Sequence, residues 1–198
     1  MRLEGLTIEQ WSVQSLCDEW KVRHVVAHLV DSVAIGGFDL VRGVIRSIYE
    51  FNKVRAEAAL SRGDKPPERL LAEFRSTIGV HPRRPIPRLF DMLVDTAIHV
   101  HDIRRPLGMG YAFPPDTAIV VADQLAKTNL VFGAKKRIRG LRFVADDVTW
   151  SRGDGPEVRG RIEAMIMVMA GRSVPAGEFA GDGAAALAPR VRLPYEMS

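Results

Sequence analysis

Asp95 and His99 stand four residues apart in a segment of helical texture, so a carboxylate and an imidazole fall on one side of a helix, about one turn from each other. Such a pair can supply two converging metal ligands. A catalytic zinc typically takes three protein ligands with nitrogen and oxygen donors and keeps a fourth position for water or substrate. The third ligand must then come from another helix. His28 is the best-placed residue, because it flanks an apolar stripe of Val22, Val25, Val26, Leu29, Val30 and Val33, whereas His24 falls further round towards solvent. The same spacing also fits an exposed Asp–His ion pair, with His28 a hydrogen-bonded core residue.

Asp102, three after His99, is placed either to accept a proton from the free ring nitrogen of that histidine or to pair with Arg104 or Arg105. His101 falls on the apolar side near Phe90 and Val94 and reads as a packing residue; proton carriage or extra ligation are its other ordinary roles. Cys17 reads as packing, with a thiol of lowered pKa ahead of a helix as its alternative. Arg172 is the chosen clamp for a substrate carboxylate, because a guanidinium binds planar anions bidentately. Trp11, Trp20 and Trp150 read as core anchors.

The elements that must position these groups are legible from caps, breakers and period. Thr7 to Gln10 reads as a capping box before a short helix through Trp11. The Val22 helix should run to Gly36-Gly37 and resume from Phe38 to Tyr49. Pro66-Pro67 opens a helix from Glu68 to about Ile78, and a proline-rich loop, His81 to Pro87, leads to a helix from Arg88 to Arg104 that Pro106 and Gly108 stop. Another helix follows Pro114-Pro115 and runs to about Phe132. After Gly140 the texture turns β-like: Leu141 to Trp150 and Glu157 to Arg161 read as the two strands of a hairpin whose turn is Ser151 to Gly155. An apolar helix, Ile162 to Met169, then ends at Gly171. The fold class is therefore mainly α: an antiparallel helical bundle over residues 1–135, followed by a small α+β region over 136–198.

Composition narrows the function classes. A chain of 198 residues with 46% hydrophobic content can bury a real core. Its apolar stretches, such as Ala164 to Ala170, fall far short of the roughly 20 residues that span a bilayer, and no secretory signal is legible, so a cytoplasmic protein without membrane association is expected. A single cysteine excludes an intramolecular disulfide framework and fits a reducing compartment. The net charge of +4 is a small excess in a chain rich in both signs, so no nucleic-acid partner is implied. The densest basic stretch, Lys135, Lys136, Arg137, Arg139 and Arg142, reads as a solvated linker face. The apolar helices leave room for a homodimer.

The wording of the sequence adds to its spacing. Cys17, Trp20, Val22, Val25, His28 and Leu29 spell C-x-x-W-x-V-x-x-V-x-x-H-L, and Asp95, His99 and Asp102 lead into Arg104-Arg105-Pro106-Leu107-Gly108. Together with Ala145 to Ser151, Gly153 to Gly160, Gly171-Arg172 and Gly181-Asp182-Gly183, these phrases resemble the mycothiol-dependent maleylpyruvate isomerase family, a branch of the DinB-like metalloenzyme superfamily. The resemblance implies a DinB-like bundle whose metal ligands fall on His28, Asp95 and His99, and a C-terminal accessory domain. The acidic ligand is commonly Glu in that family; Asp95 is one methylene shorter, which demands closer helix approach or a bridging water. The resemblance also implies a metal-dependent transferase or isomerase that uses a small-molecule thiol, mycothiol, on a small electrophile, with zinc as the expected metal. A non-catalytic metal-binding or small-ligand-binding protein of the same fold is the alternative.

Overall fold

The computed structural model describes residues 3–18, 20–34, 57, 59–80, 86–110, 113–127 and 133–190. The Phe38 to Tyr49 helix and most of the proline-rich loop expected from sequence lie outside them. Mainly helical with one small sheet, the chain groups into two compact units, Met1–Gly110 and Tyr111–Ser198. No helix among the described residues is long and apolar enough to cross a membrane.

In the first unit the capping box forms as expected. The Thr7 side chain accepts from the Gln10 amide, the Gln10 side chain accepts from the Thr7 amide, and the helix Ile8–Trp11 follows. The chain then turns through a bridge between Gln14 and Lys21 into the helix Val22–Ala34. That helix packs against Ile8–Trp11, Pro67–Ser76 and Ile86–Arg104. Its stripe Val22, Val25, Val26 and Leu29 is buried with Leu3, Trp11, Ala27, Leu70 and Ile103. Each such aliphatic side chain contributes about 1.5–3 kcal/mol of transfer free energy, so this cluster fixes which face of the helix turns inward.

His24 departs from expectation. It is buried, not turned to solvent, and its Nδ1 accepts from the Lys21 amide at 3.2 Å. Its ring lies against Gly63, where any Cβ would overlap the imidazole Cδ2. The apolar stripe could not reveal this, because the covering surface comes from residues some forty positions away.

In the second unit the helix Pro115–Lys127 packs on Ile162–Met169, whose residues are all buried. The division at Gly110 thus groups Pro115–Lys127 with the C-terminal region, ahead of the change of texture near residue 135. The basic stretch includes a short helix, Ala134–Ile138, rather than a linker face alone. Lys135 and Lys136 are exposed, while the half-buried Arg137 donates to the Met169 carbonyl at 2.9 Å.

The sheet differs from the expected hairpin. Strand β1, Arg142–Ala145, pairs antiparallel with β2, Ser151–Arg152, so the segment read as the start of a turn is the returning strand. Strand β3, Glu157–Gly160, pairs parallel with β1 on its other side, giving the order β2-β1-β3. The crossing between β2 and β3 depends on two glycines. Gly153 and Gly155 have φ of +87° and +128°, and a Cβ on either would strike the carbonyl of Leu141 or of Gly140.

Candidate metal centre

The three residues singled out by spacing meet in the first unit. Helix Val22–Ala34 presents His28 and helix Ile86–Arg104 presents Asp95 and His99. His28 Nε2 lies 3.3 Å from Asp95 Oδ2, and His99 Nε2 lies 3.5 Å from Asp95 Oδ1. The two imidazoles meet edge to face with ring centroids 4.7 Å apart. One ligand-type atom from each of the three residues lies within 4.8 Å of the others. The shorter Asp95 reaches both histidines directly, so close helix approach answers the missing methylene.

The surroundings are dry on one side. His28 and His99 are 4% and 8% exposed, while the Asp95 side chain keeps 22% of its surface, which opens the cluster through the carboxylate. Burial acts to raise the Asp95 pKa, but hydrogen bonds to His28 and His99 outweigh it and hold the carboxyl well below its usual range. Burial acts to lower the His99 pKa, but bonds to Asp102, Asp95 and Cys17 lift it well above the ordinary imidazole value. A divalent cation binding at His99 Nε2 would have to displace any proton held there.

Asp102 makes a contact that fits its orienting reading. Fully buried, it accepts from His99 Nδ1 at 2.8 Å, which turns Nε2 of the same ring towards Asp95. His101 is 3% exposed and belongs to neither ligand group found among the described residues. Burial, followed by the charge of Arg105, pushes its pKa down to about 4, so it packs as a neutral side chain. Arg172 lies in the second unit near Arg137, whose pKa is lowered by burial and then by the Arg172 charge.

Ser32 was not singled out from the sequence, and Trp20 and Cys17 make contacts beyond the packing roles expected of them. Ser32, four after His28, has two acceptors within reach of its single hydroxyl proton, the His28 carbonyl at 3.0 Å and Asp95 Oδ2 at 3.3 Å. The spacing rule that paired Asp95 with His99 would have found it. Trp20 lies against both histidine rings, at centroid distances of 4.9 Å to His28 and 6.0 Å to His99. Cys17 packs beside the core as expected, but its thiol also donates to Asp102 Oδ2 at 3.0 Å.

The donor set suits a divalent ion. Two neutral imidazole nitrogens and one carboxylate make the three-ligand arrangement of open zinc sites, and the second nitrogen of His99 is already engaged by a carboxylate, as in many zinc sites.

Residues 2–85 match the family model described as the mycothiol maleylpyruvate isomerase N-terminal domain. No curated protein sequence matches the chain. Among solved structures, a crystal structure of the mycothiol-dependent maleylpyruvate isomerase is similar with a TM-score of 0.60, at 14% identity over 90% of this chain and 85% of that one. A histidine-to-alanine mutant of that isomerase gives 0.59 with the same identity and coverage. At this identity the likeness concerns the fold.

Proposed function

We propose, for a chain whose residues 2–85 match the family model of the mycothiol maleylpyruvate isomerase N-terminal domain, that it is a metal-dependent enzyme joining a low-molecular-weight thiol to a small electrophile. His28, Asp95 and His99 would hold one divalent ion, zinc by donor type. The observation that carries this reading is the convergence of two imidazole nitrogens and a carboxylate on one partly open spot, with the other nitrogen of His99 anchored to Asp102.

When bound, such an ion supplies Lewis acidity that lowers the pKa of a coordinating thiol and so provides thiolate at neutral pH. The chain's own residues prepare the place. Asp102 holds the His99 imidazole with Nε2 directed at Asp95, and the half-buried Trp20 lies against both buried histidine rings. The Ser32 hydroxyl lies within reach of the Asp95 oxygen that faces His28.

The chemistry is attack of the thiolate on an electrophilic carbon: the new sulfur–carbon bond replaces the π bond of an unsaturated electrophile, or the carbon–chlorine bond of a chlorinated aromatic, which releases chloride. If the adduct rotates about the former double bond and expels the thiol, the result is isomerisation; if it leaves intact, the result is transfer. Mycothiol, the thiol named for the similar structures, is the first cosubstrate to try.

Zinc-loaded protein incubated with mycothiol and a chlorinated aromatic, then with maleylpyruvate, tests the reading. Product formation that needs both thiol and metal, and that His99→Ala abolishes, is the expected result. Zinc-loaded protein that binds no thiol and converts no electrophile would favour a metal-binding protein of this fold.

A further inference from the structure

Cys17 is the single cysteine of the chain, and it sits in the turn between the helices Ile8–Trp11 and Val22–Ala34. Its thiol is 3.0 Å from Asp102 Oδ2 and 3.7 Å from His99 Nδ1, while His99 Nδ1 is 2.8 Å from that same carboxylate oxygen. One oxygen of a fully buried carboxylate therefore accepts from an imidazole and from a thiol. The turn is held there independently of the thiol: the Leu16 amide donates to the Asp102 carbonyl at 3.1 Å, and the Cys17 amide donates to Ser15 Oγ at 3.1 Å.

We infer that Cys17 is a positioning residue, which by donating to Asp102 Oδ2 fixes that carboxylate against His99 and so sets the direction of the His99 ring. The physical reason lies in sharing. The two donors meet one oxygen, and the second of them pins the carboxylate against rotation. Loss of the thiol would leave the Asp102 carboxylate freer to rotate and the His99 ring less firmly directed. Residues that orient a metal-bound histidine typically change metal affinity by about 10–100-fold when removed. The consequence for metal binding rests on the function proposed above; the consequence for His99 does not.

The test compares wild type with Cys17→Ala, which removes the donor, and Cys17→Ser, which keeps one. In metal-free protein labelled with nitrogen-15 at histidine, the Nδ1 proton of His99 should shift from its wild-type position in Cys17→Ala and return towards it in Cys17→Ser. Zinc affinity, read by competition with a chromophoric chelator, should fall about tenfold or more in Cys17→Ala and recover in Cys17→Ser. An Nδ1 proton that does not move in Cys17→Ala overturns the inference, as does a Cys17→Ser protein indistinguishable from Cys17→Ala. Should wild type bind no zinc while the Nδ1 proton still responds to the two variants, Cys17 keeps its positioning role and the metal function falls.

Discussion

Asp95 Oδ2 lies 3.3 Å from His28 Nε2, so a carboxylate on one helix meets an imidazole on another at the range of a direct polar contact. The pair spans 67 residues of sequence and joins the two helices that carry the whole cluster. A longer acidic side chain would have to fold back on itself here.

Asp95→Glu probes that fit. The added methylene enters a space already matched to aspartate, while the charge and donor type stay the same. The expected result is protein that still takes up about one zinc, measured by elemental analysis, with thiol turnover changed several-fold. Complete loss of zinc would show that the helix separation, and not the donor chemistry, governs the site.

His101 should make stability pH-dependent. Its folded pKa, pushed down to about 4, lies below the 6.5 of the unfolded chain, so the unfolded state takes up the proton first as pH falls. The contribution of neutral His101 is whole above pH 6.5 and is lost between about 6.5 and 4, by up to roughly 3 kcal/mol at about 1.4 kcal/mol per unit. His99, shifted upward, acts in the opposite window: its contribution is whole below 6.5 and is lost as pH rises through its raised value. Urea titrations at several pH values should show a shallower acid-side slope for His101→Gln than for wild type. Equal slopes would refute the burial argument.

Gly63 should tolerate no side chain. A Cβ there overlaps the buried ring of His24, which is fenced by its own helix and held at Nδ1 by the Lys21 amide. Gly63→Ala is expected to destabilise by about 1–3 kcal/mol, the usual effect of overpacking. The double variant Gly63→Ala with His24→Ala should recover part of that loss; a fully additive pair would contradict the contact.

Trp20 offers an optical reporter. Its ring sits 4.9 Å from that of His28 and 6.0 Å from that of His99, so cobalt(II) held by those rings should quench its fluorescence. Trp20→Phe should remove most of the quenching while Trp11 and Trp150 still emit. Quenching that survives in Trp20→Phe would place the cobalt elsewhere.

Much of the centre was legible because its parts follow local rules. Asp95, His99 and Asp102 share one helix, where spacing alone sets their common side, and the stripe from Val22 to Leu29 fixed the inward face that carries His28. What escaped depends on distant chain. Cys17 reaches Asp102 only because the turn before Val22 bonds back to the end of another helix, through Leu16 and the Asp102 carbonyl. The burial of His24 comes from Gly63, and no period in the Val22 helix encodes it. In the sheet, strand content was readable from residue type. The parallel pairing of β3 was not, since it follows from how closely Gly153 and Gly155 let the chain pass the carbonyls of Leu141 and Gly140.

The central claim is that His28, Asp95 and His99 bind one metal ion. Crystals grown with zinc and measured on either side of the zinc absorption edge test it most directly. One strong anomalous peak is expected about 2.0–2.2 Å from His28 Nε2, from an Asp95 carboxylate oxygen and from His99 Nε2. The same data from His99→Ala crystals should lack it. A wild-type map without a peak at these three residues, in protein that folds as described, would contradict the claim.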